Sequence, residues 1–344
     1  MANQKTKFWR SILLVAAALS VSIPSGLQAD LTAHTTKLIG GAKKEGKVVW
    51  YTTITVAKSR PILDRFEKKY PFIKGELLRT GGGPLQNRIL TEARAGKHLF
   101  DVVNGRAEMF LSLKNASILA SYKSPELVNV GDDLKDERGF WSGVYGQALV
   151  LGYNTRLVKE SDLPRSYDAL LEPRWKGTIM NDTENFQWFS GLLRVWGREK
   201  GLAYMRKLAK QDQTFARGNT SRIQLVAAGE APLLIAFNHV IEFNKSKGAP
   251  IDWVPLEPVI MTPAVLMLAN QAANPNAGKL LIDFLVSREG QEMFRDLDGI
   301  PVHKDVEADP PRLSRGYRRF VLTPDMYDDY AEIVKLYREI FSLK

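Results

Sequence analysis

Residues 48–106 read VVWYTTITVAKSRPILDRFEKKYPFIKGELLRTGGGPLQNRILTEARAGKHLFDVVNGR, and the order of elements in this stretch decides the fold. Val48-Val49-Trp50-Tyr51 is a short apolar run of the buried-strand type. The polar stretch Thr52-Thr53-Ile54-Thr55 leads into an amphipathic helix through Ile62, Phe66 and Tyr70, which Pro71 stops. Lys74 to Leu78 is the next strand, and Thr80-Gly81-Gly82-Gly83 is a tight loop before a helix with Leu85, Ile89 and Ala93 on one face. Phe100-Asp101-Val102-Val103 is a third strand, ending in Asn104-Gly105-Arg106. Repeated strand–loop–helix units predict a parallel sheet covered by helices. Ligands of such sheets sit beyond the carboxyl ends of the strands, where helix N-termini and loop N–H groups point. The polar segments 52–55, 80–83 and 104–106 fall there.

Toward the N-terminus, Leu31 to Lys44 reads as a helix. Before it, Lys5, Lys7 and Arg10 precede an apolar run from Ile12 to Ile23, which Pro24, Ser25 and Gly26 break. That is the pattern of a secretory signal peptide, with Ala29 at the cleavage position. The run falls short of the ~20 residues that a membrane anchor needs. Removing residues 1–29, which carry three basic and no acidic residues, leaves 315 residues and lowers the formal charge from +10 to +7.

Toward the C-terminus, a strand around Ala148-Leu149-Val150-Leu151 precedes a second alternating set. Helices are expected at Trp188–Lys200, Leu202–Lys210 and Ser221–Ala228, and a strand at Pro232–Phe237. Trp253 to Pro258 is extended and proline-bounded, the pattern of a return crossing between lobes. A strand at Ala264–Leu268 and helices at Ala277–Val286 and Glu289–Leu297 lead to a helical tail.

At 344 residues, 44% apolar and 25% charged, the chain is of ordinary globular composition and about two domains in size. The absence of cysteine excludes disulfides, cysteine zinc sites, iron–sulfur clusters and thiol nucleophiles. The only histidines, His34, His98, His239 and His303, form no HExxH-type pair. No GxSxG elbow, P-loop or GxGxxG motif occurs, and no basic–aromatic array marks nucleic acid. A secreted, cysteine-free chain of this size suits a bacterial periplasm.

Read together, these segments resemble the periplasmic solute-binding proteins of ABC importers, close to the ferric-iron-binding branch (type II, family 1). The resemblance rests on Val48–Thr53 with Phe66-Glu67-Lys68-Lys69-Tyr70-Pro71, on Ala93-Arg94-Ala95-Gly96 with Phe100–Val103, and on Trp175-Lys176-Gly177 and Ala228-Gly229-Glu230. Ala277 to Leu285 with Ser287-Arg288-Glu289-Gly290-Gln291 completes it. It implies an α/β, two-lobed fold, each lobe a mixed sheet flanked by helices, with ligand in the interlobe cleft. Lobe 1 is expected to comprise residues 30–147 and 256–302, and lobe 2 residues 148–255 and 303–344. Hinge closure would bury a small molecule and present it to an inner-membrane ABC permease. A monomer is expected, with no enzymatic activity and no cofactor.

The ferric branch holds its metal with a tandem tyrosine pair, often assisted by a histidine and a glutamate. The resemblance places those positions at Asn238-His239, Thr55 and Arg106. No anionic oxygen is left among them, and an arginine repels a cation but forks onto a carboxylate or phosphate. The expectation is therefore a small anionic organic solute (a phosphonate, organophosphate or carboxylate) and no metal. Its contacts are expected from Thr52, Thr53, Thr55, Gly81, Gly82, Asn104, Arg106, Tyr145, Asp182, Asn219, Thr220, Asn238 and His239, with Asp182 on a hydroxyl or amine of the solute. Structural roles compete for several of these. Thr52, Thr53, Asn219 and Thr220 are also good helix caps, and the glycines also serve a turn. Two other readings stay open: a ferric-iron importer component, and a ligand sensor that reports to a membrane receptor kinase.

Overall fold

The computed structural model describes residues 25–344, with side chains from residue 33 onward. The expected signal peptide, residues 1–29, lies outside the described residues apart from the backbone of Ser25 to Ala29. Among the described residues no helix is long and apolar enough to cross a membrane.

The chain opens with α1 (Ser25–Glu45), β1 (Lys47–Thr52), α2 (Val56–Lys69), β2 (Lys74–Arg79), α3 (Gly82–Arg94), β3 (Val102–Arg106), α4 (Met109–Asn115) and β4 (Leu119–Ala120). A long strand, β5 (Ser142–Asn154), leads to β6 (Ile179–Asp182), α5 (Phe186–Trp196), α6 (Arg198–Ala209), β7 (Thr214–Ala216), α7 (Asn219–Ala228), β8 (Leu233–Phe237), α8 (Asn238–Ser246) and β9 (Ile251–Val254). A second long strand, β10 (Val259–Ala269), precedes α9 (Pro275–Val286), α10 (Arg288–Asp296), β11 (Arg319–Val321) and α11 (Tyr330–Phe341). The alternation expected for residues 48–106 is present, with shifted edges. Asn104-Gly105-Arg106 continues β3, because β10 pairs with it through Ala264↔Arg106. Gly82 and Gly83 open α3 instead of lying in a loop. The helix expected at 188–200 breaks at Gly197, whose φ of 83° is cheap only for glycine.

The strands form one continuous path, β2-β1-β3-β10-β5-β8-β6-β7, with β4 and β11 on β10 and β9 on β5. At one end β1 pairs in parallel with β2 and β3; at the other β6 pairs in parallel with β7 and β8. Between them β5 and β10 run antiparallel to each other and to their outer neighbours β8 and β3. Both are long enough to enter more than one hydrophobic cluster. On β10, Ile260 packs in the cluster that holds Trp188 and Tyr337, whereas Val265 packs with Tyr51 and Phe110. On β5, Leu149, Leu151 and Tyr153 face the Trp188 cluster, whereas Val144 belongs to the cluster around Trp50 and Phe66. The Trp253–Pro258 segment is not itself the crossing: β9 pairs with β5 at residues 151–154, and the chain crosses further along, within β10.

Two carboxylates, the buried Asp101 and the half-buried Glu45, join the N-terminal part of the chain to α9. Asp101 accepts hydrogen bonds from the Val49 N–H (2.8 Å), the Asn274 N–H (2.8 Å) and the Asn274 amide (2.9 Å). Glu45, the last residue of α1, accepts from the N–H groups of Asn276 (3.1 Å) and Ala277 (2.8 Å). Two negative groups thus satisfy the orphan donors and the positive dipole end at the start of α9. Asp101→Ala is expected to lower the free energy of unfolding by about 3 kcal/mol, since it strands several buried donors at once. Urea denaturation of the two proteins measures this.

Candidate functional site

The carboxyl ends of the parallel strands in both halves point to one region. Thr52 ends β1 and Arg106 ends β3; Asp182 ends β6 and Phe237 ends β8. Helices α2, α3, α5, α7 and α8 start just beyond such ends. Their N-cap positions are Thr55, Gly81, Asn185, Gly218 and Phe237, and none makes a side-chain cap hydrogen bond. At α7 and α8 other side chains take part of this role, since the Gly218 N–H donates to Asp182 and the His239 N–H to Asn238, whereas α3 and α5 begin without a side-chain cap.

A cavity of about 490 Å3 lies here, with walls from both halves. One wall is Gly81, Gly82, Gln86, Arg106 and Glu108; the other is Asp182, Glu184, Gln187, Arg217, Gly218, Asn219 and Tyr330. The Arg106 side chain is half exposed, and its Nη1 lies 3.7 Å from Glu108 Oε1. Burial opposes the charge on Arg106, but the surrounding carboxylates, Glu108 first, outweigh it and raise its pKa. Burial also pushes the Glu108 carboxyl up, against the pull of Arg106. A Cβ on Gly82 would stand 3.3 Å from Arg106 Cδ, so the glycine there leaves room for the arginine stem. Arg217 pairs with Glu184 at 3.1 Å. Glu108, Glu184, Arg217 and Tyr330 were not foreseen. The first three carry no motif, and Tyr330 arrives from the C-terminal helix.

A second cavity of about 450 Å3 adjoins it, lined by Thr53, Thr55, Tyr145, Thr220 and His239 together with Ile54, Lys58, Val240, Phe243, Phe294 and Leu297. The Tyr145 ring stacks on Phe294 with centroids 5.8 Å apart. Burial raises the Tyr145 phenol to about 12, opposed by the Arg106 charge. His239 lies over Phe237, its Nδ1 is buried without a partner, and burial followed by the nearby Lys58 charge lowers its pKa to about 3.

The expected contact residues thus separate into three groups. Gly81, Gly82, Arg106, Asp182 and Asn219 line the first cavity; Thr53, Thr55, Tyr145, Thr220 and His239 line the second. Thr52, Asn104 and Asn238 are fully buried, and their side chains are engaged inside the protein. The Thr52 hydroxyl donates to Asn104 Oδ1 (3.0 Å), Asn104 Nδ2 donates to the Val265 carbonyl (3.2 Å), and Asn238 Nδ2 donates to the Leu313 carbonyl (2.9 Å). They shape the cleft from beneath.

Asp182 is likewise occupied. Its Oδ2 lies 3.0 Å from Arg222 Nη2 and accepts from the Gly218 N–H (3.2 Å), while Oδ1 accepts from the Glu184 N–H (3.0 Å). Arg222, only 1% exposed, also donates to the Ile235 carbonyl (2.6 Å) and to Asn219 Oδ1 (3.1 Å). The carboxylate foreseen for a hydroxyl or amine is thus the strut that seats α7. The cleft carboxylates nearer to solvent are Glu108 and Glu184.

The family described as bacterial extracellular solute-binding protein matches residues 98–326. The chain belongs to this family. A solute-binding protein of this kind captures a small molecule for an inner-membrane ABC permease; it is not an enzyme, and the family works outside the bacterial cytoplasm. An uncharacterized protein of Haemophilus influenzae is 24% identical over 289 residues, 80% of this chain and 82% of the relative. Among solved structures, iron-bound HitA from Pseudomonas aeruginosa matches with a TM-score of 0.74 and 20% identity, over 86% of this chain and 99% of that one. AfuA from Actinobacillus pleuropneumoniae, with fructose-6-phosphate bound, matches with a TM-score of 0.71 and 22% identity, over 87% and 99%. These likenesses show the two-lobed type II fold with its interlobe cleft.

Two predictions concern the frame of this solute-binding protein. Asp182→Ala leaves the Arg222 charge buried and unpaired and is expected to cost roughly 3–5 kcal/mol of stability, read by chemical denaturation. His239 binds its proton less tightly when folded, with a pKa of about 3 against 6.5 unfolded. Its stabilising contribution is complete above pH 6.5 and is lost as the pH falls toward 3, by up to about 1.4 kcal/mol per pH unit. His239→Gln should therefore flatten the fall in stability between pH 6.5 and 4, measured by urea titrations at several pH values.

Proposed function

We propose that this protein captures a small organic anion (a phosphonate, organophosphate or carboxylate) between its lobes and delivers it to the permease. The observation that carries this reading is the pair of arginines, Arg106 and Arg217, in one cavity with the N-terminal ends of α3, α5 and α7. Guanidinium forks and free helix N–H groups are both complementary to oxyanions. Arg106 supplies the charge complement. Thr53, Thr55, Thr220 and the loop amides orient the solute, and Glu108 and Glu184 accept from its hydroxyl or amino substituents. The lobes, residues 30–147 with 256–302 and residues 148–255 with 303–344, close about β5 and β10. The protein acts as a monomer in the periplasm after loss of residues 1–29, without a cofactor.

Iron-bound HitA, of the same fold, favours a ferric cargo as the second reading. Against it stand Arg106 in the cleft and, at the expected tyrosine positions, a buried Asn238 amide and a His239 held neutral.

A thermal-shift screen of the mature protein against phosphonates, sugar phosphates, carboxylates and ferric iron, with and without citrate or carbonate, tests the choice. A shift with an organic anion and none with iron is expected. Arg106→Ala should weaken that binding by at least 2 kcal/mol, roughly 30-fold, while moving the ligand-free midpoint little because the side chain is half exposed. Iron stabilising the protein, or undiminished anion affinity in Arg106→Ala, overturns the reading.

A further inference from the structure

The second cavity differs in chemistry from the first. Its walls are mainly carbon: Ile54, Val240, Phe243, Phe294 and Leu297 surround it. Its charged members neutralise each other, since the Lys58 ammonium lies 3.3 Å from Asp298 and also donates to the Leu297 carbonyl. Phe243 is 41% exposed, a large apolar ring left facing open space, with the ammonium groups of Lys247 and Lys58 over it at 5.5 and 5.9 Å. The neutral polar side chains that line it are few: the Thr53, Thr55 and Thr220 hydroxyls and the Tyr145 phenol, while His239 keeps its Nδ1 buried.

This chamber lies beside the arginines. Ala264 of β10 pairs with Arg106 of β3 on one side and with Tyr145 of β5 on the other. Arg106 and Tyr145 therefore stand in one row across the sheet, two strand spacings or about 10 Å apart. Asn219 and Thr220, consecutive at the start of α7, line one cavity each. One small molecule can reach both.

We infer that the captured solute is an organic anion with an apolar body, whose head pairs with Arg106 while the body fills the chamber against Phe243 and Phe294. This rests on the anion reading of Arg106 and adds the class of substituent. A polyol in the same place would lose water from several hydroxyls and find few partners, which is costly. An alkyl or aryl group loses nothing and removes the apolar walls from water.

Isothermal titration of the mature protein with methylphosphonate, phenylphosphonate and glycerol 3-phosphate, repeated with Phe243→Ala, Phe243→Leu and Arg106→Ala, tests this. Phenylphosphonate should bind roughly 30-fold tighter than methylphosphonate, with a more negative heat-capacity change. Phe243→Ala should remove most of that gain and leave methylphosphonate unchanged, while Phe243→Leu keeps part of it. Arg106→Ala should weaken all three probes. Glycerol 3-phosphate binding as tightly as phenylphosphonate, or a phenyl advantage that survives Phe243→Ala, overturns the apolar chamber alone. Probes that bind equally well without Arg106, or no binding by any probe, overturn the anion reading beneath it.

Discussion

The antiparallel pairing of β5 with β10 is the constraint on which the molecule depends. β5 enters two hydrophobic clusters and β10 three, so their ladder carries the chain from one parallel unit to the other and back. Because the crossing is paired β-structure and not a flexible tether, the two sets of strand ends keep a defined facing. Bending such a ladder is a hinge motion about a few residues. Without it the parallel units would be separate small sheets, and the cleft between them would have no geometry.

The cleft in turn is a consequence of parallel sheets. Every strand-to-helix turn brings a carboxyl end and a helix N-terminus to the same edge, and the two parallel units of the sheet turn such termini into a polar cleft lining. The chain meets two helix starts with its own carboxylates: Glu45 and Asp101 occupy the start of α9, and Asp182, paired with Arg222, accepts from the Gly218 N–H and so seats α7 at the cleft wall. What is left open faces Arg106, Arg217 and the neighbouring apolar chamber. The division of labour is chemical. Charge and N–H donors gather on one side of the β10 row, and carbon surface gathers on the other.

Much of the fold was legible in the sequence because it follows from local rules. Alternating apolar strands, an amphipathic helix stopped by Pro71 and the segment order around 48–106 each reflect short-range geometry. Edges were misjudged where a partner decided them. Asn104 to Arg106 became strand because β10 lies beside them, and Gly82-Gly83 became helix because nothing required a positive φ. The site was legible only in outline. Arg106 could be singled out because its charge is wrong for a metal. Thr52, Asn104 and Asn238 were indistinguishable from cleft-facing polar residues, since burial depends on what packs above them.

The sequence by itself determined an α/β chain of repeated strand–loop–helix units with a cationic residue at the end of its third strand, because periodicity, turn residues and charge are local properties. Only the tertiary structure decided that Asp182 is consumed by Arg222, that Glu108 and Arg217 join Arg106, and that Phe243 and Phe294 wall a chamber beside them. Those pairings join residues far apart in the chain, and they exist only once the sheet brings the strand ends together.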